Sequence, residues 1–184
     1  MNTNVTIEYT PNPNALKFVL NSKVIATGNY TYKNKTEAAS NAIAEAIFEV
    51  SNTIDEVYFC SNFITVTQDG TGDWQSLRNK IQQAITDNIE IHDPDSFETT
   101  SEDKPTGNEN GDLAQINAIL DARVRPALQG DGGDLRVLSY ENHTLKIFYQ
   151  GACGSCPSAA MGTLYAIQNL LRQEFDPEIV VEKE

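Results

Sequence analysis

Basic residues, histidine, cysteine and long apolar runs are all scarce in this chain, and each scarcity removes a class of function. Thirteen Lys and Arg stand against 26 Asp and Glu, for a formal charge of −13. Phosphate contacts need clustered cations, so neither a nucleic-acid surface nor docking on an anionic membrane is expected. No run approaches the about 18 apolar residues that a membrane-spanning helix needs. The three cysteines, Cys60, Cys153 and Cys156, are too few and odd in number for a disulfide-stapled scaffold. A reducing compartment is therefore expected. The only histidines, His92 and His143, read as solvated turn residues. No basic residue precedes Lys17 and no apolar run opens the chain. That pattern predicts no secretory signal and no Arg-rich presequence, and with them a cytoplasmic location.

What remains is a foldable chain. Of its 184 residues 40% are hydrophobic, enough for one ordinary domain or two small ones. Residues 93–111 hold six acids, one Lys, two Pro and two Gly. Such a segment cannot bury enough apolar surface to offset its ordering entropy, so it reads as a disordered, self-repelling acidic linker. The expected organisation is a domain over 1–92, the linker over 93–111, and a second domain over 112–184. Each domain carries ten acids to six bases, so the linker is the most acidic part per residue. The expected fold class is α+β, as two small α+β domains joined by a flexible acidic linker.

In the first domain Val5, Ile7 and Tyr9 alternate with Thr6, Glu8 and Thr10, the pattern of a half-buried strand. Pro11 and Pro13 make residues 10–14 a turn. Leu16, Phe18 and Leu20 give a second strand, and Tyr30 and Tyr32 a third. Ala39, Ile43, Ile47 and Val50 share one face of a helix predicted over 37–50 and capped by Thr36. Ile54–Cys60 and Phe63–Thr67 form a hairpin around Ser61 and Asn62. Asp73 caps a last helix carrying Leu77, Ile81 and Ile85. Trp74 reads as core rather than as a base-stacking platform.

The second domain reads helix, strand, strand, helix, strand. Asp112 caps a helix with Leu113, Ile116, Leu120 and Val124 inward, and Pro126 ends it or lies in its last turn. Gly130-Asp131-Gly132-Gly133-Asp134 is a tight reversal, with neither the Lys of a phosphate loop nor the later ligands of a calcium loop. Strands follow over about 135–140 and 144–150. A helix opens near Pro157, with Ala160, Leu164, Ile167 and Leu171 on its apolar face, and Ile179-Val180-Val181 closes the domain. Arg123, Arg125 and Arg136 read as solvated.

Cys153 and Cys156 are spaced C-x-x-C between a strand and that helix. The orphan amides at a helix start favour thiolate over thiol. Gly151 and Gly154 allow close backbone approach. Thiolates select zinc, copper(I) or iron–sulfur clusters. Two ligands fill half of a four-ligand shell, and Cys60, in a strand of the other domain, reads as a buried small hydrophobe. Two chains sharing one centre in a C₂ dimer would complete it. The residues alone also allow a thiol–disulfide oxidoreductase, or a dimeric interaction module holding structural zinc.

The run Gly130–Asp134, then Tyr149-Gln150-Gly151-Ala152-Cys153-Gly154-Ser155-Cys156-Pro157-Ser158, then Thr163-Leu164, resembles the C-terminal domain of the NifU and Nfu proteins over residues 112–184. Thr10-Pro11-Asn12-Pro13-Asn14-Ala15-Leu16-Lys17-Phe18, and Asn62-Phe63-Ile64-Thr65-Val66-Thr67 with Trp74 after it, are similar to the Nfu N-terminal domain. The chain departs from the commoner family pattern inside the cysteine pair and at Ser40-Asn41-Ala42-Ile43-Ala44. The resemblance implies a non-enzymatic iron–sulfur carrier. Its cluster-binding and metal residues would be Cys153 and Cys156. Its cargo would be a [4Fe–4S] cluster bridging a homodimer, supplied by an upstream donor and passed to apo iron–sulfur client proteins. Ligand count alone leaves [2Fe–2S] open.

Overall fold

The structure is a computed structural model, and it describes residues 4–97, 111–154 and 159–184. It divides into two compact units, Met1–Phe97 and Glu98–Glu184. Among the described residues no helix is long and apolar enough to cross a membrane.

The first unit comprises β1 (Val5–Tyr9), β2 (Ala15–Leu20), β3 (Asn29–Tyr32), α1 (Lys35–Ala38), α2 (Ala42–Val50), β4 (Ile54–Cys60), β5 (Phe63–Gln68) and α3 (Trp74–Asn88). Its strands form one antiparallel sheet in the order β1-β2-β5-β4-β3. Alternation along β2, β4 and β5 sends Phe18, Val57, Phe59, Ile64 and Val66 into a core shared with Ile43 and Ile47 of α2 and Ile81 and Ile85 of α3. Asp73 caps α3 as expected, its carboxylate accepting from the amides of Gln75 and Ser76. Trp74 packs partly buried against the core and donates from Nε1 to the Pro13 carbonyl at 3.0 Å.

The helix predicted over 37–50 is two helices. Asn34, not Thr36, caps α1, and Asn41 caps α2 by accepting from the Ala44 amide at 3.1 Å. Asn41 is extended, with φ −136°, so the chain turns there and starts afresh. His92 is not a solvated turn residue. Its Nε2 lies 2.6 Å from the Val24 carbonyl oxygen and its ring stacks on Phe59.

Composition places the linker from Asp93, yet Asp93–Phe97 packs on the first unit. The Pro94 carbonyl accepts from the Ala26 amide at 3.0 Å, and the Phe97 ring sits 5.3 Å from Phe59 and 5.6 Å from Tyr30. The Phe97 ring, which buries a large apolar area, and the Pro94 carbonyl together fasten this segment. The remainder of the predicted linker, 98–110, lies outside the described residues.

The second unit comprises α4 (Asp112–Arg123), α5 (Arg125–Gly130), β6 (Gly133–Glu141), β7 (Thr144–Gly151), α6 (Ala159–Glu174) and β8 (Val180–Lys183). Asp112 is the first residue of α4 rather than its cap; Gly111 stands at the cap with φ +82°. Pro126 opens α5 instead of closing α4, because a missing amide costs nothing in a first turn. β6 and β7 are antiparallel around Asn142 and His143, both with positive φ, as a two-residue hairpin turn requires. β8 pairs parallel to β7, so β7, α6 and β8 make a crossover unit. Ile116 and Leu120 of α4 and Ile167 and Leu171 of α6 pack with Leu135, Leu145 and Ile147 of the sheet.

Candidate metal centre

Cys153 sits in the turn that leaves β7 and leads to α6. Gly151, at φ +61°, bends the chain out of the sheet, and the Gly154 amide closes the turn on the Gly151 carbonyl at 3.0 Å. The turn is tied to the segment before β6, where the Ala152 amide donates to the Gly132 carbonyl at 3.1 Å. Gly132 has φ +81°, which explains a glycine there. The expected reversal over Gly130–Asp134 is therefore the junction between α5 and β6, and it lies against the cysteine turn.

Gly133 meets Gly151 across the β6–β7 ladder. A Cβ on Gly133 would stand 2.6 Å from Cys153 Sγ, 2.8 Å from the Gln150 carbonyl oxygen and 2.9 Å from the Cys153 amide nitrogen. Cys153 is only 7% exposed and packs with the second unit's core. Its neighbour Tyr149 is buried, and its hydroxyl makes no hydrogen bond among the described residues. Burial, and secondarily the charge of Cys153, push that phenol up to about 12. Lys183 of β8 stands 5.8 Å over the Tyr149 ring and donates to the Gly154 carbonyl at 3.4 Å. A thiol, close backbone and one ammonium are chemically suited to an anionic, thiolate-bound centre.

The second predicted ligand, Cys156, lies outside the described residues. Cys60 is buried in β4 of the first unit, packed with Tyr58 and Phe63. Among the described residues no three His, Cys, Asp or Glu side chains gather as a metal-binding group. Arg125 corrects another expectation: it is half-buried rather than solvated. It pairs with Asp121 at 2.8 Å and lies 3.7 Å from the buried carboxylate of Asp134. Arg136 stacks over Phe148 at 6.0 Å, and Arg123 pairs with Glu174 at 3.4 Å. Sequence reasoning missed Gly133, Tyr149 and Lys183 as neighbours of Cys153. The doubled glycine was visible, but its reason depends on strand register.

Two α+β units in series, the second bearing a cysteine turn at a strand-to-helix junction, define a two-domain thiol-loop protein. Residues 5–92 match the family model described as scaffold protein Nfu/NifU N terminal, and residues 116–182 match the NifU-like domain. The chain belongs to the Nfu/NifU family. It is 32% identical over 173 residues to a Drosophila persimilis protein named NFU1 iron-sulfur cluster scaffold homolog, mitochondrial, covering 92% of this chain and 61% of that protein. The protein of the same name from Drosophila grimshawi is also 32% identical, covering 92% and 57%. A solution structure of a NifU-like protein from Saccharomyces cerevisiae aligns at 20% identity and TM-score 0.47, over 53% of this chain and 87% of that one. The chain thus spans roughly six-tenths of the length of these curated relatives.

The relatives' names overturn the cytoplasmic expectation, since both are called mitochondrial. The physical reason is simple. Location is read by receptors from sorting segments, so the composition of folded domains does not carry it.

Proposed function

We propose that this chain is an iron–sulfur cluster carrier with no turnover chemistry of its own. Cys153 and Cys156 are its ligands. Two copies each lend one pair to a shared [4Fe–4S] cluster, which is received from a donor protein and delivered to apo-protein clients. The observation that carries this reading is the place of Cys153, in the β7–α6 turn of a NifU-like domain that follows an Nfu-type domain. The relatives named as iron-sulfur cluster scaffold homologs support the nature of the cargo.

Delivery follows from half-occupancy. Each chain supplies two of about four ligands, so dimer and cluster stabilise one another and separate together by mass action. Client thiolates replace carrier thiolates one at a time, and no free iron need form. Lys183 adds positive potential beside the turn, which suits an anionic cargo.

Anaerobic reconstitution with ferrous iron and sulfide tests the proposal. About four irons should bind per two chains. Cys153→Ala or Cys156→Ala should abolish uptake, and Cys60→Ala should not. Single chains that hold a complete cluster overturn it, as does uptake that survives loss of both paired cysteines. Tightly held zinc with no iron uptake favours the structural-zinc reading, and catalytic disulfide exchange without a cluster favours the oxidoreductase.

A further inference from the structure

The sulfur of Cys153 occupies the space that a side chain at position 133 would fill. A Cβ there would come within 2.6 Å of Sγ and within 3.0 Å of two backbone atoms, closer than packed atoms approach. The geometry is held from both sides. Gly133 is fixed opposite Gly151 in the ladder, and the Ala152 amide is bonded to the Gly132 carbonyl. Asp134, next in the strand, is buried and held to α5, accepting from the Gln129 amide at 3.0 Å and lying 3.7 Å from Arg125, so β6 cannot easily yield. A missing Cβ inside a strand is commonly where another group comes close.

In this position the sulfur faces its own unit's core and is almost withdrawn from water. A sulfur bridging two chains must instead reach out of its own chain. One position cannot meet both demands. We propose that Gly133 is a positioning residue that gives Cys153 an inward seat, and that the sulfur moves between this shielded seat and an outward one where it meets the shared cluster. The outward seat rests on the carrier reading; the inward one does not. While seated, Cys153 is screened from electrophiles and oxidants, which attack exposed thiolates. An alanine at 133 closes the seat and turns the sulfur outward.

Labelling with iodoacetamide tests this on the full chain after treatment with chelator and reductant, with each cysteine followed by peptide mass. Wild-type Cys153 should react at least about tenfold more slowly than in urea, because labelling awaits a local opening. Gly133→Ala should bring it close to the urea rate. Gly130→Ala, whose Cβ meets nothing within 4 Å, should keep the wild-type rate. Buried Cys60 reports in the same sample whether the first unit stays folded, and circular dichroism reports on the second. Wild-type Cys153 that reacts as fast as in urea overturns the proposal. So does a folded Gly133→Ala chain whose Cys153 stays slow. If Gly133→Ala unfolds, the wild-type ratio alone decides. Iron and sulfide uptake is measured separately: a shielded Cys153 without uptake keeps the seat and sinks the carrier reading, and uptake with an unshielded Cys153 does the reverse.

Discussion

His143 Nδ1 stands 2.6 Å from Asp176 Oδ2, which bonds the tip of the β6–β7 hairpin to the segment between α6 and β8. Tyr140 donates to the same oxygen at 2.7 Å, and the Glu178 amide donates to the other at 3.0 Å. His143, foremost, and these donors hold the Asp176 carboxyl down at about 2, against an ordinary 3.8. The hydrogen bond to Asp176, then its charge, raises the imidazole above 6.5.

A pH window for the second unit follows. The Asp176 contribution is complete above 3.8 and lost as pH falls towards about 2. The His143 contribution is complete below 6.5 and lost as pH rises through its raised folded value. The pair therefore stabilises most between those limits. Thermal melts from pH 4 to 9 should show the second unit weakening on the alkaline side. His143→Asn, which tolerates the same positive φ, should flatten that decline.

Asn41→Ala should destabilise the first unit by about 1 kcal/mol, the usual cost of losing a side-chain cap. Its oxygen is the acceptor for the Ala44 amide, and its amide lies 3.4 Å from His92 Nδ1. Exposed Thr36, which caps nothing, should tolerate alanine within about 0.5 kcal/mol. Urea midpoints for the two variants, read on the first unit, separate these roles.

Arg125→Met should cost about 1–3 kcal/mol at neutral pH, because it leaves a buried carboxylate without its cation. Burial already raises the Asp134 carboxyl above 3.8, against the Gln129 amide, the Leu135 amide and Arg125. A buried acid with a raised pKa gains stability as pH falls through its folded value, so the Arg125→Met defect should shrink in acid. Adding Asp134→Asn should recover part of the loss, and a double-mutant cycle in urea measures that coupling.

On the carrier reading the acidic segment is a tether that raises the effective concentration of one unit near what the other holds. Deleting residues 98–110 should leave iron loading intact and slow delivery to an apo-protein several-fold. Stopped-flow absorbance during delivery checks this, and an unchanged rate argues against a tethering role.

How much of this was legible depends on the range of the interaction. The strands of the first unit were readable because Val5, Ile7, Leu16 and Phe18 alternate locally. The break before α2 was not, because Ala39, Ile43, Ile47 and Val50 keep helical spacing straight through it, and only the Asn41 side chain interrupts the backbone. His92 looked solvated because Phe59 and Phe97, which cluster with its ring, are brought there by tertiary packing. Arg125 looked solvated because Asp134 is brought beside it by the turn between α5 and β6. The cysteine pair was conspicuous by spacing. The meaning of Gly133 was not, since no local pattern reveals which sulfur will turn back over a glycine of another strand.

The parallel run of β8 beside β7 obliges the chain to cross back along α6, and the cysteine turn is the gateway to that crossing. The sheet's pairing and the buried grip of Ile167 and Leu171 hold that gateway in place, and the buried Ala152 and Cys153 make it part of the same core. Any redrafting of the turn at Ala152 and Cys153 would therefore be felt throughout the fold that carries it.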